Sequence, residues 1–195
     1  ILGGAKVVDK IKVIENLMTK VDFLLIGGAM AYTFLKAQGH KIGNSKFDAE
    51  GFDIAKQLLE KAKSSNAKFV FPEDHIVAQQ VADNVPAKNS PVDIEDGWIG
   101  LDIGPKTVSR FQGILQNAKT VVWNGPLGVF EMKAFAQGTK QIAEYLGKLK
   151  SSATTIIGGG ETAQAVAELG LSEQMSHVST GGGASLEYLE GQALP

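Results

Sequence analysis

Short apolar runs rich in Val, Ile and Phe alternate with segments of helical spacing from one end of the chain to the other. Runs at 23–26, 68–71, 98–103, 120–123, 154–157 and 176–179 have the length of buried strands. Between them lie helical patterns: Val7, Ile11, Ile14 and Met18; Phe52, Lys56, Leu59 and Ala62; Val108, Phe111 and Leu115; Ile142, Tyr145 and Leu149; Ala163, Val166 and Leu169. Strand and helix taking turns predicts an α/β fold, a doubly wound and mostly parallel sheet with helices on both faces in three layers. No low-complexity segment splits the chain, so residues 1–195 read as one domain. The loopiest stretch, Asp83 to Asp96 with Pro86 and Pro91, reads as an excursion within that domain.

Glycine changes the picture. The chain has 23 glycines in 195 residues, about 12% against a usual share of about 7%. They cluster where strands hand over to helices: Gly27-Gly28, Gly104, Gly125 with Gly128, Gly158-Gly159-Gly160 and Gly181-Gly182-Gly183, with Gly3-Gly4 before the first helix. In a doubly wound Rossmann-like sheet the carboxyl ends of the parallel strands share one edge, where ligands bind. Glycine lets the main chain approach a ligand, and a helix beginning there presents free N–H groups and a positive dipole end. The set as a whole predicts an anionic ligand, a phosphate compound, although any single cluster is adequately explained as a turn.

Charge and composition narrow the classes. The 19 Lys and Arg against 21 Asp and Glu leave a formal charge of -2, without the overall basic field that attracts nucleic acid or anionic membranes. No cysteine is present, which excludes disulfides, thiolate metal sites and cysteine nucleophiles and is compatible with a reducing cytoplasm. The longest apolar runs, such as Val21 to Ile26, are too short to span a bilayer. Ile1-Leu2-Gly3-Gly4 carries neither an initiator Met nor a charged leader, and reads as an interior cut of a longer chain.

Among phosphate chemistries, a P-loop is excluded because no G-x-x-x-x-G-K-[ST] sequence occurs. Gly158 to Ala163 satisfies the G-x-G-x-x-G/A pattern of dinucleotide sites, which keeps an NAD-dependent dehydrogenase as an alternative. The acid expected at the end of the next strand is absent, since that strand runs Ser176-His177-Val178-Ser179-Thr180 into glycines. His40, His75 and His177 have no metal-ligand spacing and receive no catalytic role.

Five blocks occur in a telling order: Leu2-Gly3-Gly4-Ala5-Lys6-Val7 with Asp9-Lys10; Ile26-Gly27-Gly28-Ala29-Met30-Ala31; Val122 to Glu131; Gly158 to Thr162; and Ser179 to Glu187. Together they cover the chain and resemble phosphoglycerate kinase. The resemblance implies the C-terminal, nucleotide-binding half of a two-domain enzyme that transfers a phosphoryl group between 1,3-bisphosphoglycerate and ADP. The N-terminal half, which holds 3-phosphoglycerate, is then missing. It further implies Mg2+ with ADP or ATP, a monomer, and a cytoplasmic location. A stand-alone nucleotide-binding module with no chemistry is the rival from another class.

Site roles follow from the resemblance. Lys6 matches the lysine that tracks the transferring phosphoryl group and Lys10 the one on the nucleotide phosphates; spacing puts them one helical turn apart, projecting the same way. Gly158, Gly159, Gly160, Gly181, Gly182 and Gly183 supply backbone N–H groups to phosphates, with Gly159 and Gly182 counted in the catalytic set beside the two lysines, and Thr162 adds a hydroxyl. Glu161 stands where the family usually has a Mg2+-binding Asp; a first-turn Glu that complements the helix dipole is the other reading. Glu131 accepts from the ribose, while Gly4, Ala5, Gly28, Ala29, Gly100, Leu101, Pro126 and Val129 line the adenine slot. Asn124 lies near the phosphates or simply forms the turn before Gly125.

Overall fold

Strands with apolar residues on both faces must be covered twice, and the chain meets this with a parallel sheet between two helical layers. The computed structural model describes residues 1–191. Strand β1 (Phe23–Leu25) pairs in parallel with β2 (Lys68–Val70), and β6 (Thr120–Asn124), β7 (Thr154–Gly158) and β8 (His177–Ser179) pair in parallel in that order. The N-terminal residues join the two groups. Leu2 N–H donates to the Leu25 carbonyl (2.8 Å) and Gly27 N–H to the Leu2 carbonyl (2.9 Å), while Gly3 N–H donates to the Asn124 carbonyl (2.9 Å) and Asn124 N–H to the Ile1 carbonyl (3.0 Å). The parallel order is therefore β2, β1, Ile1–Gly3, β6, β7, β8, and it reverses direction between the N-terminal segment and β6.

Successive residues of β1 show the double burial. Leu25 packs with Trp123, Ile157 and the apolar faces of helices α4 (Pro105–Leu115), α5 (Gln137–Lys148) and α6 (Gly160–Glu168). Leu24 packs on the opposite face with helices α1 (Ile11–Met18), α2 (Met30–Ala37), α3 (Phe52–Lys63) and α7 (Gly182–Leu189). The fold is a three-layer α/β/α sandwich, as the alternation of patterns predicts.

Two parts of the reading need correction. Residues 83–96 are not simply loop: Ala87–Pro91 forms strand β4, paired antiparallel with β3 (Asp74–Ala78), which also pairs antiparallel with β5 (Ile99–Ile103). The run at 98–103 thus belongs to a separate three-stranded sheet rather than the parallel one. β3 escapes the pattern because its first residues, Asp74 and His75, are polar yet 2% and 0% exposed. Asp74 works as a cap, its carboxylate accepting from the N–H groups of Lys106 and Thr107 and from the Thr107 hydroxyl. The start of α4 is therefore satisfied internally, and Gly104 is small because a Cβ there would lie 2.2 Å from the Asp74 carboxyl carbon.

The reversal point is built without side chains. A Cβ on Gly3 would sit 2.1 Å from the Pro126 carbonyl oxygen, and one on Gly125 would sit 2.4 Å from the Gly3 carbonyl carbon. Gly3→Ala must therefore part the N-terminal segment from the end of β6. We expect a loss of about 2 kcal/mol or more in chemical denaturation; a loss under about 0.5 kcal/mol would mean that these backbones do not touch.

Candidate functional site

The carboxyl ends of the central strands open into a cleft of about 390 Å³. Gly4 and Ala5 come from the N-terminal segment, Gly28 and Ala29 from the turn after β1, Gly100 and Leu101 from β5, and Pro126, Val129 and Glu131 from the loop after β6. Glu161, in the first turn of α6, closes the wall. Gly28 adopts φ +67 and has Gly4 N, Gly4 O and Pro126 O within 3 Å of any Cβ, so the chain packs backbone to backbone there. The slot is lined mostly by glycine and apolar groups, which suits a planar ring system held by dispersion and stacking.

Beneath the cleft the polar groups are knitted together. Lys10 is 8% exposed and its ammonium donates to Asn124 Oδ1. Asn124 in turn donates through Nδ2 to the Gly158 carbonyl at 3.0 Å. Burial lowers the Lys10 pKa from 10.5 to about 8, partly offset by the nearby carboxylates of Asp9 and Glu161. Thr162 is 1% exposed, and its hydroxyl oxygen accepts from Gly125 N–H at 2.7 Å. Asn124 and Thr162 are therefore struts between β6, β7 and α6.

The start of α6 lies beside them. Gly159, at φ +96, turns the chain into the helix, and its N–H donates to the Ser179 carbonyl at 3.1 Å, so it is not available to a ligand. The N–H groups of Gly160, Glu161 and Thr162 make no hydrogen bond among the described residues. They are the free donors of a helix N-terminus, with a net attraction for anions. Gly181, Gly182 and Gly183 begin α7 but do not line the cleft; the Ser185 hydroxyl of that helix donates to Ser179 Oγ at 2.9 Å, at the end of β8 whose Ser179 carbonyl takes the Gly159 N–H.

Lys6 and Lys10 do not project together. Lys10 ends a 3-10 turn (Val8–Lys10) and is buried, whereas Lys6 precedes the turn, is exposed and makes no hydrogen bond or ion pair among the described residues. Tightening of the turn separates two residues that a regular helix would stack.

Against this geometry the comparisons are specific. The family model described as phosphoglycerate kinase matches residues 1–192. The chain belongs to the phosphoglycerate kinase family. It is 58% identical to phosphoglycerate kinase from Pseudothermotoga lettingae and 54% identical to that of Oenococcus oeni, covering 100% of this chain and 49% and 48% of those proteins. The solved phosphoglycerate kinase of Coxiella burnetii superposes with a TM-score of 0.94 at 45% identity over 98% of this chain and 50% of that one. That of Pyrococcus horikoshii OT3 superposes with a TM-score of 0.75 at 31% identity. The chain spans about half the length of the curated phosphoglycerate kinases it matches.

Six further cleft residues escape sequence reasoning: Tyr32, Lys46, Val81, Ile99, Leu127 and Gly128. Leu127, Gly128 and Tyr32 adjoin residues already singled out, and nearness in sequence was a usable signal. Lys46 and Val81 carry none, because only the tertiary fold brings their loops to the rim.

Lys10 has a measurable signature. Its folded pKa, about 8, lies below the ordinary 10.5, so between those values the unfolded chain binds a proton that the folded chain does not. Stability should rise with pH through that window, by about 2–3 kcal/mol from this group. In Lys10→Met the rise should be absent; an equal rise in both proteins would show that Lys10 titrates as an ordinary lysine.

Proposed function

We propose that this chain is the nucleotide-binding, C-terminal domain of a phosphoglycerate kinase and holds Mg-ADP or Mg-ATP for transfer of a phosphoryl group to or from phosphoglycerate. The observation that carries the reading is the junction of an apolar, glycine-walled slot with the open N–H groups of Gly160, Glu161 and Thr162. An adenine base fits the slot between Gly28, Gly100, Pro126 and Val129, the ribose hydroxyls donate to Glu131, and the phosphates lie toward α6.

The work of such a site is electrostatic. In-line transfer needs donors and positive charge aimed at the phosphoryl oxygens, with little covalent help from protein. Lys10 offers its charge from beneath the cleft, and Lys6, exposed and without an internal partner among the described residues, follows the moving group. The α6 N–H groups hold the phosphate that does not move.

The residues present also fit Mg2+. No group of three or more His, Cys, Asp or Glu suited to a metal occurs among the described residues, but Mg2+ on a nucleotide needs only one or two carboxylates beside the phosphates and water. Glu161, exposed at the cleft wall, supplies one. When bound, the ion neutralises charge on the phosphate oxygens. The remaining half of the enzyme supplies phosphoglycerate, and the reading extends to a cytoplasmic monomer; no helix among the described residues is long and apolar enough to cross a membrane.

Calorimetry with Mg-ADP at pH 8 tests the assignment. Because Lys10 is near half-charged there, an arriving diphosphate should draw a fraction of a proton onto it, seen as a binding enthalpy that varies with the ionisation enthalpy of the buffer. Absent binding refutes the domain assignment. With 3-phosphoglycerate and ATP the chain alone should not turn over, since orientation of the two substrates is worth about 7–11 kcal/mol; robust turnover refutes the division of labour. Glu161→Ala should weaken Mg-ADP binding about tenfold and metal-free ADP binding much less. Equal weakening of both would assign Glu161 to the helix dipole instead.

A further inference from the structure

Val8 opens the 3-10 turn that ends in Lys10, and an N–H in the first turn of a helix has no acceptor within that helix. The Val8 N–H donates instead to Asp48 Oδ2 at 3.3 Å, across 40 residues of chain. Asp48 Oδ1 accepts from Gly51 N–H at 3.1 Å, just before α3. The aspartate is 8% exposed, so both bonds are largely shielded from water. Asp74 and Asp102, the other buried acids among the described residues, take N–H groups at the starts of α4 and α5. Of the three, Asp48 is the one that reaches the turn carrying Lys10.

The segment bearing Asp48 is anchored on both sides. Asp48 N–H donates to the fully buried hydroxyl of Thr33 in α2 at 2.9 Å. Three residues earlier, the Ser45 hydroxyl accepts at 2.8 Å from the N–H of Gly100, in the β5 wall of the cleft. On the other side Gly51 leaves no room, since a Cβ there would lie 2.4 Å from Asp48 Oδ2 and 3.0 Å from Val7 Cβ. The turn itself is closed by Lys10 N–H on the Val7 carbonyl at 2.9 Å. Beyond it the Lys10 ammonium donates to Asn124 Oδ1, and its Cε lies 3.9 Å from the position of a Cβ on Gly4, a cleft residue. Bonds thus run from the β5 wall through Ser45 and Asp48 to the turn whose last residue is Lys10.

Resting on the nucleotide-site reading above, we propose that Asp48 is a positioning residue, a strap that fixes the turn carrying Lys10 to the nucleotide phosphates. A carboxylate suits the task because its two oxygens only accept, and each takes one of the two N–H groups. Asparagine keeps an acceptor for the local bond to Gly51, of a kind that Asn and Asp form equally well. It then sets an amide donor against the Val8 N–H. Asp48→Asn therefore separates the cap on α3 from the strap on the turn.

The test is calorimetry of Mg-ADP on the 195-residue chain, Asp48→Asn, Lys10→Met and the double variant, with urea denaturation of each to measure folding. By charge alone, removing an anion near the site would tighten the binding of a diphosphate. The strap predicts the opposite sign: Asp48→Asn should weaken Mg-ADP about fivefold while the chain stays folded. In the Lys10→Met background the same substitution should change Kd by less than about twofold, because the group it positions is gone. A Kd for Asp48→Asn within about twofold of the parent, or tighter, overturns the inference. So does a loss above about twofold in the Lys10→Met background, which would route the effect elsewhere. A Lys10→Met chain that binds Mg-ADP as the parent does also overturns it, as does an Asp48→Asn chain that no longer folds, which would assign Asp48 to the scaffold. These outcomes remove this inference alone, whereas failure of the unaltered chain to bind Mg-ADP removes the nucleotide-site reading and this inference with it.

Discussion

Two pieces of backbone meet with no side chain between them where the strand order reverses, and the rest of the structure depends on that contact. Gly3 and Gly125 leave room only for main chain, with a carbonyl on each side where a Cβ would be. Leu2 hydrogen-bonds toward β1 while its neighbours Ile1 and Gly3 pair with Asn124, so the first three residues weld two groups of strands into one sheet. In an open parallel sheet the reversal leaves a crevice beyond the strand ends. Here the crevice is walled by the turns that follow those strands, with Gly4 and Pro126, the residues next to the glycine junction, in its lining.

The same crowding explains the unusual state of Lys10. Its side chain passes under the junction to Asn124, and there is little room for water to solvate its charge. The ammonium keeps company with Asp9 and Glu161, which recover part of the lost solvation, yet burial prevails and its pKa falls. A cation held in this way is poorly satisfied until an anion arrives above it. The open N–H groups at α6 are poorly satisfied for the same reason, their orientation being set by Gly159, Asn124 and Thr162. Both features make the cleft receptive to negative charge although the chain as a whole is slightly acidic.

Polar groups elsewhere serve the scaffold. Asp74 closes the start of α4 with its carboxylate, and Asp102, 1% exposed, accepts from Gly138 and Ile103 N–H groups while burial raises its pKa to about 8. His75 packs its ring at a tilt against Tyr32, one of the cleft residues, with its Nε2 at 3.2 Å from the Val92 carbonyl and burial lowering its pKa to about 4. The antiparallel sheet that carries these residues contributes Ile99, Gly100 and Leu101 to the cleft. A peripheral element thus supplies one wall of the site while the parallel sheet supplies the others.

Local pattern determined much of this protein. The alternation of strand and helix spacing, the glycine clusters and the ordered blocks from Leu2 to Glu187 were enough to read the α/β class and to name ten residues that line one cleft, among them Gly4, Gly28, Pro126 and Glu131. These signals are local because strand burial, helix amphipathicity and positive-φ turns are imposed over a few residues. What depends on contacts between distant segments was decided by tertiary structure. α2 is buried at six of its eight positions and so carries little helical period, and β3 hides polar residues that only the α4 N-terminus can satisfy. The burial of Lys10 against Asn124, the loss of Gly159 N–H to Ser179 and the employment of Asn124 and Thr162 as struts follow from packing across gaps of 20 to 114 residues, for which a linear pattern holds no record, and the arrival of Lys46 at the cleft likewise depends on the tertiary fold.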